Sequence, residues 1–205
     1  MVICESDALR KDQEESEELS KLNMYLKLLH GKLRSDMKLH WDRILPFDEL
    51  LFDRWEKAKF LGAKKDASIY HNSYIYGNVI IGEKTWIGPL TILDGSGGRL
   101  KIGDYCSISS GVQIYTHDTV KWSLTGGRAP KEKKGVAIGD YCYLGPYSII
   151  TKGSRIGKCS VVGAHSLVNS FIPPYSLAFG IPAKVIAKVK IKGKRVNYDF
   201  FDSES

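Results

Sequence analysis

Residues 138–168 read IGDYCYLGPYSIITKGSRIGKCSVVGAHSLV, and an aliphatic side chain returns at every sixth position: Ile138, Leu144, Ile150, Ile156, Val162 and Val168. Six matches neither the 3.6-residue turn of a helix nor the alternation of a simple strand. It fits one short strand and one turn per six residues, with one aliphatic pointing inward from each unit. The frame extends N-terminally through Ile102, Ile108 and Ile114. Beyond a three-residue insertion in GSGGRLK (residues 95–101) it continues through Ile69, Ile75, Ile81, Ile87 and Leu93. All fourteen frame positions are Ile, Leu or Val, which argues against chance spacing in an ordinary antiparallel β-protein. Glycine follows seven of them, at 82, 88, 103, 139, 145, 157 and 163, and is expected to supply turn geometry that a side chain would resist. The fourth residue after the aliphatic is usually small, as in Thr85, Thr91, Cys106, Ser148, Ser154, Ser160 and Ser166. Stacked coils of such units bury a continuous aliphatic column that no single repeat can bury alone.

One long interruption, YTHDTVKWSLTGGRAPKEKKGVA at residues 115–137, carries Lys121, Arg128, Lys131, Lys133 and Lys134. Long excursions from compact repeats are usually functional. Ahead of the repeat, Leu22, Leu26, Leu29, Leu33, Met37, Trp41 and Ile44 step by three or four, a helical stripe that Pro46 ends. FDELLFDRWEKAKF, residues 47–60, reads as a second short helix. The chain therefore divides into a flexible acidic N-terminus (1–23), an α-helical cap over the first coil (24–62), a repeat domain with its excursion loop (63–187) and a charged, irregular C-terminal tail (188–205).

A chain of 205 residues suits one principal domain. Net charge is +7, and residues 1–23 hold seven acidic and three basic side chains, a net of −4 that leaves +11 on the rest. Such a surplus suits an anionic partner. No nucleic-acid-binding motif accompanies it, so phosphorylated small molecules are the expected class. No apolar run approaches the roughly 18 residues that a membrane span needs. The acidic N-terminus does not read as a secretory leader, and a soluble cytoplasmic protein is expected. Cys4, Cys106, Cys142 and Cys159 form no C-x-x-C pair, and the last three, which fall within the repeat, are expected to be small, buried, reduced side chains. The five histidines (30, 40, 71, 117 and 165) include no close pair, so no catalytic metal is expected.

The repeated pattern of aliphatic, Gly, two variable residues and a small residue recurs in IGEKTWIGPLTI (81–92), IGDYCS (102–107) and residues 138–168. With the closing IPPYSLAFGIPAKVIAKV (172–189), it resembles the hexapeptide-repeat acyltransferases over about residues 63–190. The resemblance implies an all-β repeat fold, a left-handed parallel β-helix with three hexapeptides per coil and hence about five coils, carrying here an N-terminal α-helical segment. It also implies a homotrimer with active sites between neighbouring subunits, and acetyl-CoA or another acyl-CoA as co-substrate. Within the family the chain is similar to N-acyltransferases of dTDP-linked 4-amino-4,6-dideoxy sugars of the anthrose type. That implies acylation of the amino group of a nucleotide-linked sugar for a surface glycan. An O-acetyltransferase acting on a sugar hydroxyl and a non-catalytic β-helix assembly scaffold remain as alternatives.

The resemblance also distributes roles. His117, in T-H-D just before the excursion, corresponds to the family's acceptor-pocket histidine, and a neutral imidazole can take a proton near pH 7. Ser107, ten residues earlier, would share the catalytic pocket, while Asp94, Asp118 and Trp122 would bind the acceptor. Asp118, Ser107 or a neighbouring subunit would orient the imidazole. Gly145 and Ala164, at turns of successive coils, would admit the pantetheine arm, and Lys184 would reach a CoA phosphate. Pro146 and Asn169 stand where the family often has serine or threonine, which weakens two pantetheine contacts.

Overall fold

In the computed structural model, which describes residues 5–201 (side chains from residue 14 onward), the six-residue frame folds into three parallel faces. Frame residues eighteen apart lie in register where the frame is unbroken, as in Ile69 with Ile87 and Ile138 with Ile156. The insertion lengthens that step between Ile81 and Ile102, and the excursion lengthens it between Ile102 and Ile138. The first face stacks Ile69, Ile87, Ile108, Leu144, Val162 and Ala178. The second stacks Ile75, Leu93, Ile114, Ile150 and Val168, and the third Ile81, Ile102, Ile138, Ile156 and Ile172. The parallel solenoid has about six turns, one more than the expected five. The last rung was hidden because Val168 is followed by only four residues to Ile172 before the six-residue step to Ala178 resumes. Every frame aliphatic is at most 3% exposed except Ile75, which is partly buried. Each fully buried side chain of this size stabilises by about 1.5–3 kcal/mol.

The frame glycines serve a different purpose from the expected turn geometry. A Cβ at Gly82 would stand 2.3 Å from the Gly103 carbonyl carbon, and one at Gly145 would stand 2.5 Å from the Ala164 nitrogen. The left-handed corner falls two residues later and is filled by side chains: Lys84 (φ 51°), Leu90 (59°), Tyr105 (54°), Tyr141 (60°), Tyr147 (57°) and His165 (55°). Backbone bonds to the adjacent coil hold these corners, as when the N–H of Tyr105 donates to Glu83 O (2.7 Å) and that of Tyr141 to Asp104 O (2.8 Å). The glycines are needed for close approach, not for positive φ.

The small residues also bind coil to coil. Thr85 Oγ1 donates to Gly103 O (2.8 Å), Cys106 Sγ to Gly139 O (3.1 Å), Cys142 Sγ to Gly157 O (3.1 Å) and Ser160 Oγ to Pro173 O (2.9 Å). Cys106 and Cys142 are buried free thiols that replace serine or threonine in this ladder, and Cys159 is half-buried. Cys4 lies outside the described residues.

The chain ends depart from expectation. The unit up to Phe52 contains α1 (Glu5–Trp41) and α2 (Phe47–Leu51). The stretch expected to be a flexible terminus is thus helical from Glu5. Its acidic residues lie at the positive end of the helix macrodipole, among strong helix formers. The single short helix expected at 47–60 is two, because Asp53 accepts from the N–H groups of Trp55 (2.6 Å) and Glu56 (3.2 Å) and starts α3 (Arg54–Phe60) afresh. The solenoid unit begins at Asp53, and within it α3 packs on the first rung at Ser68–Ile69. Ala58 lies in the core cluster, and Lys57 Nζ donates to the carbonyls of Tyr70 (3.1 Å), His71 (2.7 Å) and Ser73 (2.8 Å). At the other end the expected irregular tail is an antiparallel hairpin, Ala183–Lys192 with Arg195–Phe200, which extends the first face beyond Ser176–Gly180. Val189 and Ile191 alternate with Lys188, Lys190 and Lys192, a two-residue period that favours strand. Among the described residues no helix is long and apolar enough to cross a membrane.

Two stability measurements follow. Gly82→Ala should lower unfolding stability by about 3 kcal/mol through backbone overpacking, whereas Gly31→Ala, with nothing within 4 Å, should raise the stability of its helix by about 1 kcal/mol. Asp104 accepts from the N–H of Glu83 (2.8 Å) and lies 3.3 Å from Lys64, and these contacts hold its carboxyl below the usual range. A depressed folded-state pKa stabilises above the unfolded value of about 4, and that gain vanishes as pH falls through the folded value. Asp104→Asn should therefore lower Tm at pH 7 and flatten its acid dependence. A melting series from pH 7 to 3 would expose an unchanged slope.

Candidate active site

The site forms where the two irregularities of the repeat open from the second face on successive rungs. Asp94 immediately follows the frame residue Leu93, and Tyr76, Asp94 and Tyr115 lie in register on three adjacent coils. The insertion then turns back on itself: Asp94 Oδ1 accepts from Ser96 N (2.8 Å) and Ser96 Oγ (2.5 Å). One coil on, the fully buried Thr116 donates its hydroxyl to Asp94 O (2.8 Å) and accepts from Gly97 N (2.9 Å). A Cβ at Gly97 would lie 2.5 Å from the Cβ of His117, so only glycine admits this approach. His117 is thereby set beside the insertion, its Nδ1 3.4 Å from Asp94 Oδ2 and 3.4 Å from Ser96 Oγ.

This geometry favours one tautomer. The Ser96 hydroxyl proton is committed to Asp94 Oδ1, so both groups facing His117 Nδ1 are acceptors there. A hydrogen on Nδ1 is therefore the favoured arrangement, which leaves the lone pair of the neutral ring on Nε2. The His117 side chain is 28% exposed and that of Asp94 11%, so the pair is sheltered but His117 is not fully buried. Tyr115 is half-buried and donates to Gln113 Oε1 (2.8 Å). Burial, then the charge of Asp94 and then Tyr76 push its phenol above the usual range.

The structure redistributes the sequence-derived roles. Asp94, expected to bind the acceptor, faces the imidazole. Asp118, expected to orient that imidazole or bind the acceptor, turns to other partners: its Oδ1 accepts from Val120 N (3.1 Å) at the start of α4 (Val120–Leu124), and its Oδ2 pairs with Lys152. Adjacent residues of a strand point to opposite sides, and His117–Asp118 is a two-residue strand. Ser107 lies on the first face, paired with Trp86 and Tyr143, and no hydrogen bond or ion pair joins it to His117 among the described residues. Trp122 is exposed on α4 with Lys131 Nζ 5.9 Å from its ring centre. Gly145 and Ala164 meet across adjacent coils, and Lys184 is exposed on the C-terminal hairpin. Ser96, Gly97 and Thr116 were not singled out in the sequence, although the slip of the frame marked their neighbourhood. Among the described residues no group of three His, Cys, Asp or Glu side chains converges as metal ligands would.

The bacterial transferase hexapeptide (six repeats) model matches residues 135–170, the stretch whose spacing defined the fold. Over that stretch the chain carries the repeat of the bacterial hexapeptide transferases. Among curated proteins it is 28% identical over 145 residues to the galactoside O-acetyltransferase of Escherichia coli K12, covering 61% of this chain and 71% of that one. Among solved structures it is similar to a hexapeptide-repeat acetyltransferase of Vibrio cholerae O1 biovar eltor complexed with acetyl-CoA (26% identity, 78% of this chain and 89% of that one, TM-score 0.55). A Bacillus cereus N-acyltransferase, AntD, in complex with dTDP and 3-hydroxybutyryl-CoA, shares the fold at 24% identity (64% and 86% covered, TM-score 0.52).

The tautomer is open to direct observation. Nitrogen-15 spectra of the imidazoles at neutral pH should show His117 protonated at Nδ1, and Asp94→Asn should shift that equilibrium toward the Nε2–H form. A wild-type Nε2–H ring would refute the assignment.

Proposed function

We propose that this protein is an acyl-CoA-dependent sugar acyltransferase in which His117 is the general base and Asp94 its partner. The observation that carries this reading is the sheltered imidazole of His117 with its Nδ1 3.4 Å from Asp94 Oδ2. As the acceptor oxygen attacks the thioester carbonyl carbon, Nε2 takes the hydroxyl proton. The tetrahedral adduct then expels the CoA sulfur, breaking the C–S bond, and the imidazolium returns its proton to the thiolate. Asp94 favours the transient imidazolium and holds the ring. Gly145, Ala164 and Lys184 remain the proposed CoA contacts, Trp122 a proposed acceptor contact, and a homotrimer with sites between subunits the proposed assembly, in which Ser107 would line the pocket without taking a proton.

A hydroxyl acceptor suits this arrangement best. Its pKa lies far above 7, so it gains most from a positioned base, whereas a neutral sugar amine attacks unaided. N-acylation of a dTDP-linked 4-amino-4,6-dideoxy sugar is the second reading, favoured by the basic excursion loop with Lys121, Arg128, Lys131, Lys133 and Lys134. A panel of free glycosides and of dTDP- and UDP-linked amino sugars, each with acetyl-CoA and longer acyl-CoAs, separates the two. His117→Asn should cost about 10²–10⁴ in kcat for a hydroxyl acceptor and less for an amine, and Asp94→Asn should lower kcat while leaving the KM for acyl-CoA unchanged. An assembly scaffold would bind no thioester: absence of thermal stabilisation by millimolar acetyl-CoA would remove the enzymatic reading.

A further inference from the structure

The excursion leaves and re-enters the solenoid as a short antiparallel stem, with His117 opposite Lys133 and Asp118 opposite Glu132. Two strand residues on each side cannot hold such a stem alone, because isolated two-stranded pairs are marginal in water. The fastening comes from the next coil. Lys152, two residues past the frame residue Ile150, places its ammonium between the outgoing and returning arms. It pairs with Asp118 Oδ2 and lies 3.0 Å from Glu132 Oε2. Lys121 on α4 pairs with the second Glu132 oxygen at 2.5 Å. Next to Lys152, Gly153 N donates to Lys134 O (3.2 Å), and a Cβ at Gly153 would strike the Lys134 side chain at 2.6 Å.

We infer that Lys152 is a positioning residue for the His117 imidazole, acting by clamping the two arms of the excursion stem through Asp118 and Glu132. Its side chain is only 25% exposed, and it is the one cation among the described residues that bonds carboxylates of both arms. The electrostatics agree. Lys152 first and the Val120 N–H next hold the Asp118 carboxyl below the usual range, Lys121 and then Lys152 do so for Glu132, and the two carboxylates raise Lys152. The backbone of His117 is the next link along the clamped strand, while its ring is held separately by Asp94. Loss of the clamp frees the strand while the ring partner stays in place. Misplacement by about 1 Å is enough to cost about a hundredfold in rate.

This inference rests on the proposed base role of His117, and the experiment keeps the two apart. Amide hydrogen exchange of the full-length protein needs no substrate. Lys152→Met should speed exchange at least tenfold across residues 117–133 while leaving the rungs at 138–168 protected. Lys152→Arg, which keeps the charge and can bridge both carboxylates, should restore most of the protection. With the acceptor identified by the panel above, Lys152→Met should lower kcat by about 10- to 100-fold at unchanged KM for acyl-CoA, with recovery in the arginine variant. Unchanged exchange in the methionine variant would overturn the clamp, whatever the activity. Faster exchange with unaltered kcat would overturn the positioning role. A wild-type protein inactive on every acceptor would refute the proposed chemistry, and the exchange result would still decide the clamp.

Discussion

Coil-to-coil contact in this solenoid is set by how closely two backbones can approach at the edge of each face. Parallel strands must lie about 4.8 Å apart to hydrogen-bond, and at Gly82, Gly103 and Gly157 a single added carbon would sit 2.3 Å from the neighbouring coil. The glycines permit the spacing, and the inward aliphatics fill what it encloses. The Thr, Cys and Ser ladder then satisfies carbonyls inside the corners. Cysteine is accommodated there because a thiol is small, apolar and still a weak donor.

Such a stack tolerates extra residues only if they leave it as whole loops, since a slip of one residue would turn aliphatics outward. Both departures in the middle of the chain obey this rule. The insertion after Asp94 and the excursion after Thr116 begin one coil apart on the same face, so each begins beside the other. Asp94 and His117 are neighbours for that reason, although 22 positions separate Asp94 from Thr116 in sequence. The regular part of the solenoid supplies rigidity, and the irregular part supplies the reactive groups.

The charges divide in a similar way. Asp94 is sheltered and bonded to Ser96, which leaves one oxygen for the imidazole. Asp118 and Glu132 meet lysines at the base of the excursion and hold the loop in place. Two consecutive residues, His117 and Asp118, therefore serve opposite sides of one strand, and their adjacency in sequence carries no chemical partnership.

The six-residue spacing determined the stacked coils, the buried column and the place of the excursion, because a period is a local property that every rung repeats, while three units per coil came from the family resemblance. His117 was legible for the same reason, since it sits at a recognisable break in that period. Contacts that join different rungs left no periodic trace. The pairing of His117 with Asp94 instead of Asp118, the close approach at Gly97 and the reach of Lys152 across the stem came only from the tertiary structure. Loop lengths set which residues of successive coils lie side by side, and a linear pattern does not record where an irregular loop folds back.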